Sequence, residues 1–127
     1  MGLDMYAFKT KMQISNPIDF QTEFLKDKEQ IAYWRKFNNL HGWMERLYNS
    51  KGGQHEFNCI PVLLTAEDLN QLKQDTHAKM NLGPTPGFFF GATMPLNDED
   101  QKEILDFIKI AEEAIATGYQ VYYTSWW

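Results

Sequence analysis

The chain has a single cysteine, no apolar run of membrane-spanning length and no long basic run. With Cys59 alone no intrachain disulfide can form, and cysteine usage gives no sign of an oxidising compartment. A membrane helix needs roughly 20 predominantly apolar residues, and no stretch comes near that. The opening MGLDMYAFKTK lacks the apolar core and small-residue cleavage site of a signal peptide. Tyr6 also stands where a myristoylation signal carries Ser or Thr. These readings predict no membrane association and place the protein in the cytoplasm. Lys and Arg number 12 against 17 Asp and Glu, a net charge of −5, which argues against a broad phosphate-binding surface and so against nucleic acid as partner. His41, His55 and His77 fall on separate predicted elements, without Cys-x-x-Cys or His-Glu-x-x-His spacing, so neither a metal site nor a cofactor is expected. Gly83-Pro-Thr-Pro-Gly87 is no phosphate loop, because it lacks the Gly-Lys-Ser/Thr ending and two of its amides are proline.

What is abundant is aromatic side chain, 15% of 127 residues within a hydrophobic fraction of 43%. That composition suits a folded single domain with one core and excludes disorder. The strongest periodic stretch is 29–49, EQIAYWRKFNNLHGWMERLYN. Tyr33, Phe37, Leu40, Met44 and Leu47 recur at helical spacing and predict one core-facing stripe. Trp34, Asn38, His41, Glu45 and Tyr48 repeat that spacing one residue later, about 100° round the helix. This second stripe reads either as the amphipathic shoulder of a core helix or as one wall of a binding groove.

Residues 2–12 alternate as a strand with apolar groups on both faces, so an internal strand is expected. Residues 13–28 carry a turn at Asn16-Pro17 and give no clear element. Ser50-Lys51-Gly52-Gly53 stops the main helix. Pro61 marks the run at 59–64 as an edge strand, with Cys59 taken as a core residue. Thr65 and Asp68 read as a helix start. The last helix begins at Asn97, with acids in its first turn, and closes at Gly118. The terminal strand shows Tyr119, Val121 and Tyr123 on one face and Tyr122 and Trp126 on the other. A terminus ending in two tryptophans is expected to be tied down. Between the helices, Phe88, Phe89 and Phe90 sit in a Gly/Pro-framed loop, either as a core plug or as a rigid aromatic platform. The fold class is therefore α+β: a small antiparallel or mixed sheet, first and last strands adjacent, covered by about three helices.

The segments MGLDMY, YWRKFNNLHGWMERLY, PTPGFFFG and YYTSWW together resemble a family of small bacteriophage and prophage proteins. The likeness covers nearly the whole chain and implies a host bacterial cytoplasm, but it brings no catalytic residues with it. Some members of that family carry the label phosphoglycerate kinase; this chain is too short for that two-domain enzyme and has no nucleotide-binding glycine motif.

Three functional classes stay open. A binding protein would use the aromatic supply and would take a host protein or a small, nucleotide-type ligand. Its groove would be formed by Trp34, Arg35, Asn38, His41, Glu45, Tyr48, Phe88, Phe89, Phe90, Tyr122 and Trp126. For a nucleotide, Arg35, Lys36 and Arg46 would take the phosphate and Trp34 or Phe89 the base. An enzyme would rest on His41 and Glu45 at i, i+4, with Asp4, His55 and Cys59 as further candidates. An assembly part would use the aromatics as a homo-oligomer interface. The reading preferred from sequence is non-catalytic binding.

Overall fold

The two ends of the chain form the centre of the sheet in the computed structural model, which describes residues 2–78 and 96–127. Strands β1 (Asp4–Thr10) and β4 (Gln120–Trp126) run antiparallel, from Asp4 opposite Trp126 to Thr10 opposite Gln120. Strand β2 (Glu29–Arg35) flanks β1 and β3 (Val62–Leu64) flanks β4, giving the order β2-β1-β4-β3 with every pair antiparallel. Helices α1 (Asn38–Ser50), α2 (Ala66–Ala78) and α3 (Asp98–Ala116) complete the expected α+β architecture. The loop of 83–95, with Phe88, Phe89 and Phe90, lies outside the described residues.

The helix expected over 29–49 is two elements. Glu29–Arg35 is a strand, and α1 begins only at Asn38. Cross-strand pairing decides between the two: Trp34 lies opposite Met5 and Tyr33 opposite Tyr6, so each face of 29–35 meets an apolar or aromatic partner on β1. Lys36, at φ 57, then turns the chain out of the sheet while its amide still donates to the Leu3 carbonyl at 2.8 Å. Only Leu40, Met44 and Leu47 of the proposed core stripe are helical neighbours.

The helices all pack on one face of the sheet. Leu3, Met5, Ala7, Trp34, Val62, Leu64, Val121 and Tyr123 meet Leu40, Trp43, Met44 and Tyr48 of α1, Leu69 and Leu72 of α2, and Ile104, Phe107, Ile108 and Ala111 of α3. The opposite, outer face has a smaller cluster in which Ile14, Phe20 and Leu25 lie over Phe8, Leu63 and Tyr122. Residues 13–28, irregular apart from a short 3-10 turn at Thr22–Phe24, thus serve as a partial cover. They also close one edge of the sheet. Ile18 bridges to Val62, Leu63 donates to the Pro17 carbonyl at 2.8 Å, and Asp19 donates to the Pro61 carbonyl at 3.3 Å.

Local chemistry sets the element ends. Thr65 and Asp68 exchange side chain-to-amide hydrogen bonds at 3.0 and 3.1 Å, a capping box for α2. The Asn97 side chain accepts from the Asp100 amide at 2.7 Å. Gly118, at φ 98, ends α3. Beyond α1, Gly53 lies flat against the buried Tyr48 ring, and a Cβ there would overlap ring carbons. Gly53→Ala is therefore expected to cost about 3 kcal/mol or more in urea unfolding, as an overpacked site. Gly52→Ala, which meets nothing but holds a positive φ, should cost about 1 kcal/mol. The chain's last residue is tied down as expected. The Trp127 amide donates to Asn58 at 2.9 Å, Asn58 returns a bond to the Trp127 carbonyl at 2.7 Å, and the Trp127 indole donates to the Phe57 carbonyl at 2.8 Å.

Candidate functional site

The residues expected to form one groove are distributed over three places. Trp34, Asn38, His41 and Tyr48 are buried beneath the helix-covered face, and Glu45 is half-buried on α1. Trp34 meets Phe107 edge-on at 4.9 Å, and its 4% exposure removes it as a platform for a base. Tyr122 is buried on the outer face beneath the 13–28 cover, stacked on Phe8 at 5.4 Å. Arg35 and Trp126 alone share an open surface. Arg46 is exposed on α1, across the sheet from Arg35, so the proposed phosphate cluster is divided. Cys59 is exposed rather than in the core; it sits at φ 62 in a bend and its amide donates to the Ser125 carbonyl at 2.7 Å.

His41 is a packed core histidine. Its Nδ1 lies 2.7 Å from the Tyr123 hydroxyl oxygen, and its ring lies 5.2 Å from Phe57. Burial drives its pKa down to about 4 and raises that of Tyr123 well above its ordinary value. A neutral imidazole with 2% exposure stabilises packing and has no route to a substrate among the described residues. Among those residues no group of three or more His, Cys, Asp or Glu could hold a metal ion. No helix among them is long and apolar enough to cross a membrane.

The open surface is one end of the outer sheet face. Register sets it out in two rows: Arg35, Asp4 and Trp126 across β2, β1 and β4, then Tyr33, Tyr6 and Thr124. Trp126 is 65% exposed and Tyr33 is 48% exposed. The Tyr33 ring leans on Tyr6 at 5.3 Å, and its hydroxyl donates to Asp4 Oδ1 at 2.7 Å, a bond that raises the Tyr33 pKa. Arg35 Nε stands 4.0 Å from the same carboxylate oxygen. A cavity of about 250 Å³ opens beside this row between Gly2, Asp4, Trp126 and Trp127. A larger cleft of about 460 Å³ runs through residues 12–25 but includes none of the expected site residues. The two rows offer an exposed indole for stacking, a carboxylate that accepts N–H groups and a guanidinium that donates to acceptors or anions.

Tyr6 and Tyr33 belong to this surface and were not expected there. The signal lay in Tyr33 and Arg35, whose alternation with Ala32 and Trp34 matches a strand as well as a helix. No family model, no curated protein and no solved structure matches this chain.

Proposed function

We propose that this is a small phage-encoded accessory protein that acts by binding, without turnover or cofactor, through the open end of its outer sheet face. One observation carries the reading: Trp126 and Tyr33 stand 65% and 48% exposed beside Arg35, on a face whose other half the chain covers with its own apolar residues. Large exposed aromatics next to Arg are the usual anchors of recognition surfaces. The partner is a host protein or a small planar ligand of nucleotide type, met in the host bacterial cytoplasm. The enzyme alternative rests on His41 and Glu45, and the burial of His41 weighs against it.

Native mass spectrometry of the protein purified from infected or lysogenic cells tests the reading. A retained small molecule or host protein is expected. Trp126→Ala and Arg35→Ala should each weaken its binding about thirtyfold or more, the scale of a hot-spot residue, with circular dichroism unchanged. If both variants bind as the parent does, this surface is not the site.

A further inference from the structure

The cavity of about 250 Å³ between Gly2, Asp4, Trp126 and Trp127 has a one-sided hydrogen-bonding character. Of these four residues only Asp4 has a side chain that accepts strong hydrogen bonds, since glycine has none and an indole only donates. Asp4 Oδ1 takes the Tyr33 hydroxyl at 2.7 Å, and Arg35 Nε stands 4.0 Å from the same oxygen, beyond hydrogen-bond reach. Oδ2 accepts no hydrogen bond among the described residues. A carboxylate offers about four lone-pair sites, so most of them stay open. The neighbouring Trp126 is 65% exposed, whereas the Trp127 indole is pinned by the Phe57 carbonyl at 2.8 Å. Cations stand at the rim. The Arg35 guanidinium lies along Gly2, where a Cβ would meet Nη2 at 3.2 Å, and the exposed Lys36 follows it, its amide held by the Leu3 carbonyl.

We infer that this cavity takes the guanine ring of a free nucleotide; the inference rests on the binding role proposed above and names its ligand. Its volume lies below that of a pocket for a drug-sized molecule and suits one ring system. Trp126 supplies a face to stack on. Asp4 selects the base. Guanine presents N1–H and the N2 amine side by side, two donors that match a group able only to accept. Adenine and cytosine present one amine beside an acceptor nitrogen, and uracil one N–H between two carbonyls, so each sets an acceptor against the carboxylate. A simple amine fits less well, because it would enter beside the Arg35 guanidinium. Arg35 and Lys36 instead favour an anion next to the base, the phosphate. Two cations on a chain of net charge −5 suit a mononucleotide rather than a strand of many phosphates.

Isothermal titration calorimetry of the whole chain with guanosine and with guanosine, inosine and adenosine monophosphates reads the outcome. The guanine nucleotide should bind about ten- to hundredfold more tightly than the adenine one. Inosine monophosphate lacks the N2 amine and should bind about tenfold more weakly than the guanine nucleotide. Asp4→Asn keeps an acceptor for Tyr33 and adds a donor. That variant should bind the adenine nucleotide at least as tightly as the guanine one, since an amide matches adenine's donor and acceptor together, with circular dichroism unchanged. Arg35→Ala should weaken guanosine monophosphate and leave guanosine as it was. A parent that binds no guanine nucleotide at millimolar concentration overturns the inference. So does equal affinity for the two nucleotides, an unaltered preference in Asp4→Asn, or tighter binding of the RNA pentamer UUGUU than of the mononucleotide. The broader reading fails separately. If all nucleotides bind alike, or a host protein is retained instead, and Trp126→Ala abolishes that binding, the guanine assignment falls while the binding surface stands.

Discussion

Trp34→Ala is expected to destabilise the protein by about 3–5 kcal/mol, the cost of deleting a large buried aromatic and leaving its cavity. For a domain whose whole stability lies near 5–15 kcal/mol, much of the population would unfold well below the parent's melting temperature. The reason is position. Trp34 is opposite Met5 on the inner face of β2 and packs edge-on against Phe107, so it ties the outermost strand to α3. Trp126→Ala removes the same side chain from the open face and should move stability by about 0.5 kcal/mol or less. Urea unfolding of the two variants gives the comparison directly. Equal stabilities would mean that the indole of Trp34 is not buried.

Acid should weaken the fold through His41 before the general protonation of carboxylates does. The imidazole titrates near its ordinary 6.5 in the unfolded chain and at about 4 in the folded one, because burial disfavours its charged form. A depressed folded pKa means that the unfolded state takes up protons first as pH falls. The stabilisation is thus complete above pH 6.5 and is lost progressively down to pH 4, by about 3 kcal/mol at that limit. His41→Asn keeps a hydrogen-bonding atom near Tyr123 and removes the titration. Its unfolding free energy should be nearly flat over this range, where the parent's falls. Parallel curves for the two proteins would show that His41 does not titrate differently on folding.

Features encoded by a few adjacent residues were legible in the sequence. The Asn97 cap, the Thr65–Asp68 box, the Gly118 stop and the edge character given by Pro61 all depend on one side chain meeting a backbone group a few residues away. The adjacency of the first and last strands followed from two segments with apolar groups on both faces, each needing neighbours on either side. The junction at 29–38 was not legible, because Tyr33, Phe37 and Leu40 fit a helical period by coincidence while pairing with β1 decides the conformation. The site suffered from the same ambiguity. Tyr122 and Trp126 share a face, yet one is fully buried and the other 65% exposed. What separates them is Ile14, Phe20 and Leu25, which come from a stretch with no period of its own. His41, expected on a groove wall, faces Tyr123 across 82 residues of sequence, a separation at which local spacing carries no information.

The short cap of Pro17, Ile18 and Asp19 over β3 has a consequence for how the protein behaves in quantity. A sheet able to accept strands at both edges is divalent, and divalent units add head to tail without limit. Here one of the two valences is already consumed within the chain. The β3 edge is therefore closed to strand addition, and the sheet has no growing end on that side. Even at high concentration, edge-to-edge stacking cannot propagate through β3, because its backbone groups already have partners within the chain.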